Sequence, residues 1–293
     1  MITAALRGAE PLAPRRARPA PDVSAIGDLA ADCLVMELET WPKPGLVSHV
    51  DKGSHDDMDA GTFRRSAEAI KPYLQSLAEA GARGCGMGRL RIIGLDAERA
   101  MFAATDGVNT HRGAIFGLGL LCAAAGARAG GLADPVLPLG DVVARRWGAG
   151  IIDGPLLLHS HGRAVRRRFH AGGASLEAAS GFPSIYRIGL PALRRAMSAV
   201  PGDAEAARVE ACFALIASVE DTNLLHRGGL DGLRFAHRAA RQFIEAGGVR
   251  AAGWRERARS IHDSFVARRL SPGGSADLLA MSLFVGAEEG AER

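Results

Sequence analysis

The stretch AIGDLAADCLVMELET, residues 25–40, decides the fold that we predict for this chain. Its apolar side chains return every three or four residues, which is the spacing of one face of an α-helix. That face consists of Ile26, Leu29, Ala30, Cys33 and Leu34, and Glu37 lies one turn further on. The stretch therefore predicts an amphipathic helix, and the same spacing can be followed outward along the chain.

Helical spacing recurs along most of the sequence, whereas the alternating pattern of β-strands is almost absent. Alanine and leucine, both strong helix formers, dominate the apolar residues. Further helices are predicted over residues 62–80, 97–104, 111–125, 136–146, 204–219, 230–246, 254–269 and 275–285. We therefore predict one all-α, helical-bundle-like domain over residues 23–293, after a disordered tail rich in Arg, Pro and Ala over residues 1–22.

The composition is typical of a globular protein that binds anionic small molecules. Hydrophobic residues make up 47% and charged residues 23%, and no apolar run reaches the roughly 18 residues of a membrane span. The net charge is +4 and nearly all basic residues are arginine, which favours phosphate-bearing ligands. Aromatic residues are only 5% and no nucleic-acid-binding motif occurs, so we expect neither nucleic acid nor a membrane as a partner.

The four cysteines, Cys33, Cys85, Cys122 and Cys212, lie far apart and form no CxxC pair. This spacing predicts free thiols in a reducing compartment, and neither disulfides nor a zinc site. The first residues lack the continuous apolar segment of a secretory signal. We therefore expect a cytoplasmic protein.

Several loops carry more polar residues than a helix connection needs, which predicts a polar active site built from loops at helix ends. The first is WPKPGLVSHVDKGSHDDMD, residues 41–59. Its main polar members are Lys43, Asp51, His55 and Asp57. Carboxylates at this density can bind Mg²⁺, which prefers oxygen ligands. The alternative is a solvated acidic loop in which Asp59 or Thr62 caps the next helix.

The stretch TDGVNTHRGAIFGLGLL, residues 105–121, predicts a helix start that can bind an anion. Asn109 or Thr110 can cap the apolar helix, and free N–H groups at such an end attract phosphate. His111 and Arg112 would add donors, although cations there oppose the helix dipole until an anion binds. The alternative is a capped, buried helix without a ligand.

The stretch VEDTNLLHRGGLDG, residues 219–232, has two interpretations. A helix that runs into Asp221 and ends at the Gly-Gly pair would place Arg227 in its last turn, where a cation is favourable. That interpretation leaves the consecutive short polar residues from Asp221 to Asn223 unexplained. The alternative is that they contribute to a polar site.

The stretch SPGGSADLLA, residues 271–280, combines a helix start with two adjacent glycines. Ser275 is expected to cap the helix. The amides of Gly273 and Gly274 beside Ser271 could cradle a phosphate. Asp277 would repel a bare phosphate but could hold a metal ion that bridges to one.

The stretch HSHGRAVRRRFHAGGASLEAASGFP, residues 159–183, is less specific. His159 and His161 form an HxH pair, which is a weak metal signal without a third spaced ligand. The arginines at 163 and 166–168 predict a solvated helix face or a phosphate surface. Glu177 lies among small residues, where a carboxylate could enter a crowded site.

Six motifs within these five stretches together resemble those of the triphosphoribosyl-dephospho-coenzyme A synthases. PKPGLV, GSHDDMD, GVNTHRGAIFGLGLL, EAASGFP, DTNLLHRGG and SPGGSADLLA occur here in the order found in that family, between about residues 25 and 286. Many members of the family have an acid directly after PKPGLV, where this chain has Ser48, and Asp51 is the nearest acid that could replace it.

The resemblance implies an enzyme that converts ATP and 3′-dephospho-coenzyme A into 2′-(5″-triphosphoribosyl)-3′-dephospho-coenzyme A and adenine. That product is the precursor of the prosthetic group of citrate lyase or malonate decarboxylase. ATP would be a co-substrate, with Mg²⁺ on its triphosphate, and the product would pass to an acyl-carrier-protein transferase. Whether the enzyme is a homo-oligomer stays open.

The chemistry of glycosyl transfer, set against the resemblance, divides the residues into three groups. A carboxylate can stabilise the oxocarbenium-like transition state, and a base must accept the proton of the 2′-hydroxyl. The catalytic candidates are Glu37, Asp51, His55 and Asp221. The candidates for binding ATP and dephospho-coenzyme A are Lys43, Asn109, Thr110, His111, Arg112, Asn223, Arg227, Ser271, Gly273, Gly274 and Ser275. The metal candidates are Asp57 and Asp277.

Two other classes of function compete with this prediction. An all-α, metal-dependent phosphohydrolase of the HD type would use the pair His55–Asp56, but the further His and Asp ligands at helical positions are not evident. A non-catalytic basic helical protein would show basic residues on one exposed face, whereas the polar stretches here mix acids with bases at helix ends.

Overall fold

The computed structural model describes residues 23–154 and 173–290, and these residues form an all-α structure without β-strands. The first half consists of α1 (Ser24–Leu38), α2 (Ala60–Ala82), α3 (Met87–Ala104), α4 (Arg112–Ala129) and α5 (Leu139–Ile152). The second half consists of α6 (Gly173–Ala179), α7 (Leu190–Ala199), α8 (Ala204–Ile216), α9 (Thr222–Glu245), α10 (Trp254–Ala267) and α11 (Gly273–Gly290). The predicted all-α fold class is confirmed.

Helix α2 is the centre of the first half, where it packs against α1, α3 and α4. It starts after Asp59, which accepts a hydrogen bond from the Thr62 amide in a capping box, so the predicted cap is confirmed. A methyl group at Gly81 would lie 1.9 Å from the carbonyl oxygen of Ala123 on α4. A methyl group at Gly126 of α4 would be equally close to the α2 backbone. These glycines let the two backbones approach closely, which fixes the position of α4.

Helix α11 joins the two halves, because it packs against α1, α4 and α8. It is almost entirely apolar beyond its first turn, and Leu279, Phe284 and Val285 are completely buried. Burying one such side chain stabilises a fold by about 1.5–3 kcal/mol. This packing brings the amino end of α11 to the amino ends of α4 and α9 and the carboxyl end of α1.

The predicted helices overlap the observed ones, and the differences lie mainly at helix ends. Helix α3 begins at Met87, ten residues before the predicted start at 97, because the glycines in this stretch are accommodated within a helix. The sequence prediction missed α6 and α7, and also a π-helical turn over Ile185–Gly189. A 3₁₀ turn over Gly248–Arg250 links α9 to α10.

Two expected helix ends are wrong. The helix predicted to run into Asp221 ends at Ile216, and Asp221 instead caps the start of α9. Helix α9 is itself interrupted at Gly229, which has the non-helical angles φ 60° and ψ −159°. Ser275 is not a cap either, because α11 already begins at Gly273.

Other sequence predictions are either confirmed or lie outside the described residues. Cys33, Cys85, Cys122 and Cys212 are free thiols, as expected. Among the described residues, no helix is long and apolar enough to cross a membrane. The predicted tail over 1–22, the HxH pair of His159 and His161 and the arginines at 163 and 166–168 lie outside them.

Candidate functional site

Polar side chains from several distant segments meet where four helix ends come together, in what we call the inner cluster. Its members are Glu37, Lys43, Ser66, His111, Asp221, Ser275 and Asp277. Glu37 and Asp221 act electrostatically on Asp277, and Lys43 acts on His111, so these charges are close neighbours. Six of the seven were predicted as site residues. Ser66 is the one that was not predicted.

The Glu37–Lys43 ion pair is a buried part of the inner cluster. The Lys43 side chain is completely buried, and its ammonium group contacts the Glu37 carboxylate and donates to the Glu37 carbonyl oxygen at 2.7 Å. Burial raises the pKa of Glu37, and the positive charge of Lys43 opposes that shift. Because Pro42 and Pro44 flank Lys43, the loop after α1 is held in the turn that folds the lysine back onto α1.

Asp221 joins the starts of α9 and α11. Its Oδ1 accepts the Asn223 amide at 2.9 Å, and its Oδ2 accepts the amide and hydroxyl of Ser275 at 2.8 and 3.0 Å. Burial raises the pKa of Asp221, although these hydrogen bonds favour the carboxylate. The anion at the amino end of α11 is therefore the chain's own carboxylate, and a methyl group at Gly274 would lie 3.2 Å from it.

Asp277 is pressed against the first turn of α4. A methyl group at Gly113 would lie 2.0 Å from Asp277 Oδ2, so only glycine leaves room for this carboxyl group. Burial and the negative charges of Glu37 and Asp221 hold the pKa of Asp277 well above its ordinary value. The Ala114 amide hydrogen bond opposes this shift. The inner cluster therefore contains a carboxyl group that favours its protonated form.

His111 is the residue immediately before α4, and it is neutral. Its side chain is buried, with Nδ1 at 2.6 Å from the Ser66 hydroxyl oxygen. Burial and the positive charge of Lys43 lower its pKa to about 3. Thr110 donates to Ser66 at 2.7 Å and so continues the network to the surface of the cluster. A neutral imidazole supplies a donor at the helix start without opposing the helix dipole.

A second polar site, which we call the outer cleft, opens beside the loop over residues 41–59. It has a volume of about 240 Å³ and is lined by Ser54, His55, Asp56, Asp57, Arg227 and Arg269. Arg227 donates to the Ser54 and Arg269 carbonyl oxygens at 3.2 and 3.3 Å. Its second terminal nitrogen lies 3.2 Å from His55 Nδ1. The cleft therefore combines a cation, an imidazole and exposed carboxylates.

His55 links the outer cleft to the start of α11. Its Nε2 lies 2.9 Å from the hydroxyl oxygen of the buried Ser271, and its Nδ1 lies 3.6 Å from Asp57. Burial and the charge of Arg227 lower the pKa of His55, and Asp57 opposes that shift. Because an imidazole with a lowered pKa is neutral at physiological pH, His55 can accept a proton there.

Asp51 has a partner that the sequence analysis missed. His262 on α10 is buried, and its Nε2 lies 3.3 Å from Asp51 Oδ1. Its Nδ1 lies 2.6 Å from the Lys43 carbonyl oxygen, and its ring packs edge-on against Trp41 at 4.6 Å. The histidine therefore supports the loop that carries Lys43 and Asp51. It lies alone in a helical stretch, so no motif marked it.

The remaining predicted residues lie at the edges of these two sites. Asn109 is exposed and its side chain accepts the Arg112 amide at 3.3 Å, while Arg112 forms an ion pair with Glu98 at 2.9 Å. Asn223 lies against Gly273, where a methyl group would be 2.9 Å from its amide nitrogen. Glu177 instead accepts the Ser184 amide at 2.7 Å, a local contact outside both sites.

No group of three His, Cys, Asp or Glu side chains is placed to hold a metal ion in the described ranges. The two metal candidates have different surroundings. The side chain of Asp57 is 62% exposed in the outer cleft, whereas Asp277 belongs to the inner cluster. Mg²⁺ on a triphosphate needs only one or two protein carboxylates. Of the two metal candidates, Asp57 has the exposed carboxylate that such an ion needs.

Comparisons with known proteins agree on one family. The family model for ATP:dephospho-CoA triphosphoribosyl transferase matches residues 23–293. Proteins from Stutzerimonas stutzeri and Pseudomonas paraeruginosa are 41% and 40% identical, covering 92% and 89% of this chain and 93% and 89% of their own. A protein from Vibrio cholerae is 37% identical over 89% of this chain and 87% of its own. All three are named probable 2-(5″-triphosphoribosyl)-3′-dephosphocoenzyme-A synthase.

No solved structure matches the chain. The family match nevertheless covers all the residues that form the inner cluster and the outer cleft. On these similarities, the chain belongs to the ATP:dephospho-CoA triphosphoribosyl transferase family.

Proposed function

We propose that this protein transfers the 5-triphosphoribosyl group of ATP to the 2′-hydroxyl of 3′-dephospho-coenzyme A and releases adenine. Family membership supports the two substrates and the transferase chemistry. The structural observation that carries the proposal is the meeting of five distant motif segments, those of Lys43, His55, His111, Asp221 and Ser271, at one group of helix ends. Two large anionic substrates that bind together need such a polar site with an open side.

His55 is proposed as the base that accepts the proton of the 2′-hydroxyl. The other two candidates, Glu37 and Asp221, are buried, whereas His55 lines the outer cleft. Arg227 donates to His55 Nδ1, which leaves that nitrogen without a proton, and the substrate hydroxyl would take the place of Arg227 as its donor. A neutral imidazole in an open cleft suits a general base near neutral pH.

Asp51 is proposed as the carboxylate that stabilises the positive charge of the ribosyl transition state. Its side chain is 39% exposed, so part of it faces solvent, and the Gly53 amide and His262 fix its position. The C1′–N9 bond of ATP breaks, the electron pair leaves with adenine, and the C1′–O bond to dephospho-coenzyme A forms. An oriented carboxylate stabilises the oxocarbenium-like character between those two events.

Arg227 and the start of α11 are proposed to bind phosphate groups. Arg227 lines the cleft, Ser271 contacts His55 of the cleft, and Gly273 and Gly274 follow Ser271 in the chain, with Gly273 next to Asn223. Four other predicted residues would hold these groups in position, because they form contacts within the protein. They are Lys43, Asn109, Arg112 and Ser275.

Mg²⁺ fits the outer cleft better than the inner cluster. The ion would neutralise triphosphate charge there, and the exposed carboxylate of Asp57 would hold it. Asp277 would bind a cation only with loss of its proton, because its pKa is raised. Binding at Asp277 would therefore strengthen as the pH rises, whereas binding at Asp57 would not require a proton to leave.

The test is product analysis with the full chain, ATP, Mg²⁺ and 3′-dephospho-coenzyme A. Mass spectrometry should detect adenine and the triphosphoribosyl adduct in equal amounts, with no free phosphate. His55→Gln should reduce adduct formation by ~10²-fold or more, as expected for loss of a general base. His237→Gln, at a histidine that contacts the Val219 carbonyl oxygen away from the cleft, is the matched control. Phosphate release without adenine would instead support the HD-type phosphohydrolase.

The pathway and location form a separate part of the proposal. The adduct would be passed to an acyl-carrier-protein transferase that serves citrate lyase or malonate decarboxylase. Free cysteines throughout the described ranges support a reducing compartment such as the cytoplasm. A salt-dependent RNA complex with no ATP-dependent product would support the basic binding protein.

A further inference from the structure

The imidazole of His111 has one nitrogen with a partner and one without, within the described part of the chain. The side chain is 3% exposed, and Nδ1 lies 2.6 Å from Ser66 Oγ. The other nitrogen, Nε2, is buried and has no hydrogen-bond partner there. Because nearly all buried polar atoms in folded proteins are paired, this nitrogen is a candidate contact for a ligand.

The hydrogen bond from Thr110 to Ser66 favours the tautomer of His111 that is protonated on Nε2. The Thr110 hydroxyl donates to the Ser66 oxygen at 2.7 Å, so the hydrogen of Ser66 is free to donate to His111 Nδ1. A nitrogen that accepts a hydrogen bond carries no proton, and a neutral imidazole has only one proton. With Ser66 as the donor to Nδ1, that proton is on Nε2. The hydrogen bonds from Thr110 through Ser66 would then make His111 a buried, uncharged N–H donor.

The surroundings of His111 differ from those of Arg227, the exposed cation that is proposed to bind phosphate. Phe63 packs edge-on against its ring at 4.9 Å, and Gly113, two residues on, touches Asp277. The exposed cation Arg227 lies instead in the outer cleft. A neutral donor packed against an aromatic ring suits an uncharged heterocycle better than a triphosphate.

The reaction proposed above creates an acceptor that such a donor would stabilise. When the C1′–N9 bond breaks, its electron pair spreads over the ring nitrogens of adenine. A fixed donor to one of those nitrogens binds more strongly as this charge develops, so it favours the transition state over bound ATP. No proton needs to be transferred by the donor itself.

We propose that Ser66 and Thr110 are positioning residues that hold His111 as an Nε2–H donor to a ring nitrogen of the departing adenine. The proposal rests on the proposed function, since it assumes that adenine leaves. It assigns a role to Ser66, which no sequence motif marked. It also changes the expected role of His111 from a phosphate contact to an adenine contact.

The first experiment reads the tautomer directly and does not depend on activity. Nuclear magnetic resonance of the full chain with nitrogen-15-labelled histidine would report the protonation of each ring nitrogen, and His111→Gln would identify one signal set among the nine histidines. We expect a protonated Nε2 and an unprotonated Nδ1, unchanged between about pH 5 and 8, where an ordinary histidine titrates near 6.5.

Two variants test the positioning role. Ser66→Ala and Thr110→Val should each shift the His111 signals towards a mixture of tautomers, and the second variant protects the test if the first fails to fold. Ser76→Ala, on the same helix and bonded only to the Pro72 carbonyl oxygen, is the matched control and should change nothing. A protonated Nδ1 in the unaltered chain, or unchanged His111 signals in both variants, would overturn the proposal.

The second experiment identifies the acceptor by combining altered protein with altered substrate. Single-turnover cleavage would be compared for ATP and for 1-deaza-ATP, 3-deaza-ATP and 7-deaza-ATP, analogues that each lack one ring nitrogen acceptor. We expect one analogue to slow the unaltered enzyme by about tenfold or more, the size of one hydrogen bond, and to slow His111→Gln no further. Equal rates for all four nucleotides, or additive losses, would place the donor elsewhere and overturn the proposal.

The two proposals fail in different ways. If the unaltered chain releases no adenine from ATP, the proposed function is wrong, while the resonance experiment still reports the tautomer. If adenine is released but the deaza analogues behave as ATP does in both proteins, only the adenine contact of His111 is wrong.

Discussion

The inner cluster and the outer cleft lie side by side but are built from the same residue types in opposite ways. In the inner cluster, Lys43 is completely buried and paired with Glu37, and Asp221 accepts hydrogen bonds from Asn223 and Ser275. In the outer cleft, Asp57 keeps 62% of its side chain exposed and Arg227 faces an open volume. The difference is that the inner charges hold helix ends together, whereas the outer charges are available to a ligand.

This contrast has an energetic consequence. Removing a partner from a buried ion pair leaves an uncompensated charge, whereas removing an exposed charge mainly removes whatever it binds. Substitutions in the inner cluster should therefore lower the free energy of unfolding, and substitutions in the outer cleft should lower substrate affinity.

The largest effect is expected for Lys43→Met. The substitution leaves Glu37 buried without its cation and should lower the free energy of unfolding by about 3–5 kcal/mol. Urea-induced unfolding, followed by circular dichroism, measures this change. Adding Glu37→Gln to the same chain should recover part of the loss, because the uncompensated charge is then gone.

The matched control for Lys43→Met is Arg83→Met. Arg83 forms an exposed i,i+4 ion pair with Glu79 on α2, and such a pair contributes at most about 1 kcal/mol. Equal losses for the two substitutions would mean that burial does not distinguish the inner cluster from the protein surface.

A smaller effect is expected in the pH dependence of stability, through Asp277. Its pKa is raised, so above about pH 4, the ordinary value of an aspartate, the folded chain keeps a proton that the unfolded chain has released. Unfolding then releases that proton, and the free energy of unfolding falls as the pH rises towards the folded pKa. Asp277→Asn removes this contribution, so the variant should lose less stability between about pH 4 and 8.

The control for the pH experiment is Asp231→Asn, whose side chain is 98% exposed and should leave the slope unchanged. His111 contributes the opposite slope below its ordinary pKa of about 6.5, because its folded pKa is about 3. His111 is present both in the unaltered chain and in Asp277→Asn, so the difference between the slopes of these two proteins reports Asp277. A slope that Asp277→Asn leaves unchanged would contradict the raised pKa.

The all-α fold could be predicted from the sequence, and many of the predicted site residues meet in the folded chain, for different physical reasons. Helical spacing is a local property, so the all-α class followed from stretches such as residues 25–40. Lys43, His111, Asp221 and Asp277 stood out because loops with this many polar side chains are unusual at helix connections. Their convergence at one set of helix ends agrees with that prediction.

What the sequence could not supply depends on contacts between distant residues. His262 is 211 positions from Asp51 and stands alone on α10, so nothing local indicates that it supports the loop. Asp221 interacts with Ser275 across two helix starts, and this contact replaced the cap that local rules assigned to Ser275. The protonation state of His111 also depends on burial beside Lys43, which only the folded chain creates.

The smallest effect on stability, and the clearest on binding, is expected for Arg227→Met in the outer cleft. Arg227 is exposed and its partners, the Ser54 and Arg269 carbonyl oxygens, lie where water can replace it. The free energy of unfolding should therefore change by no more than about 0.5 kcal/mol. Loss of a charge-assisted phosphate contact should raise KM by about tenfold or more, with a smaller change in kcat.

Steady-state adenine release at several ATP and dephospho-coenzyme A concentrations would show which substrate depends on Arg227. Arg99→Met, at an exposed arginine paired with Asp96 outside the cleft, should leave both KM values unchanged. If Arg227→Met lowered stability as much as Lys43→Met, the outer cleft would be a structural extension of the inner cluster. If it changed kcat alone, Arg227 would act on the transition state through His55, whose Nδ1 lies 3.2 Å away, and not through substrate binding.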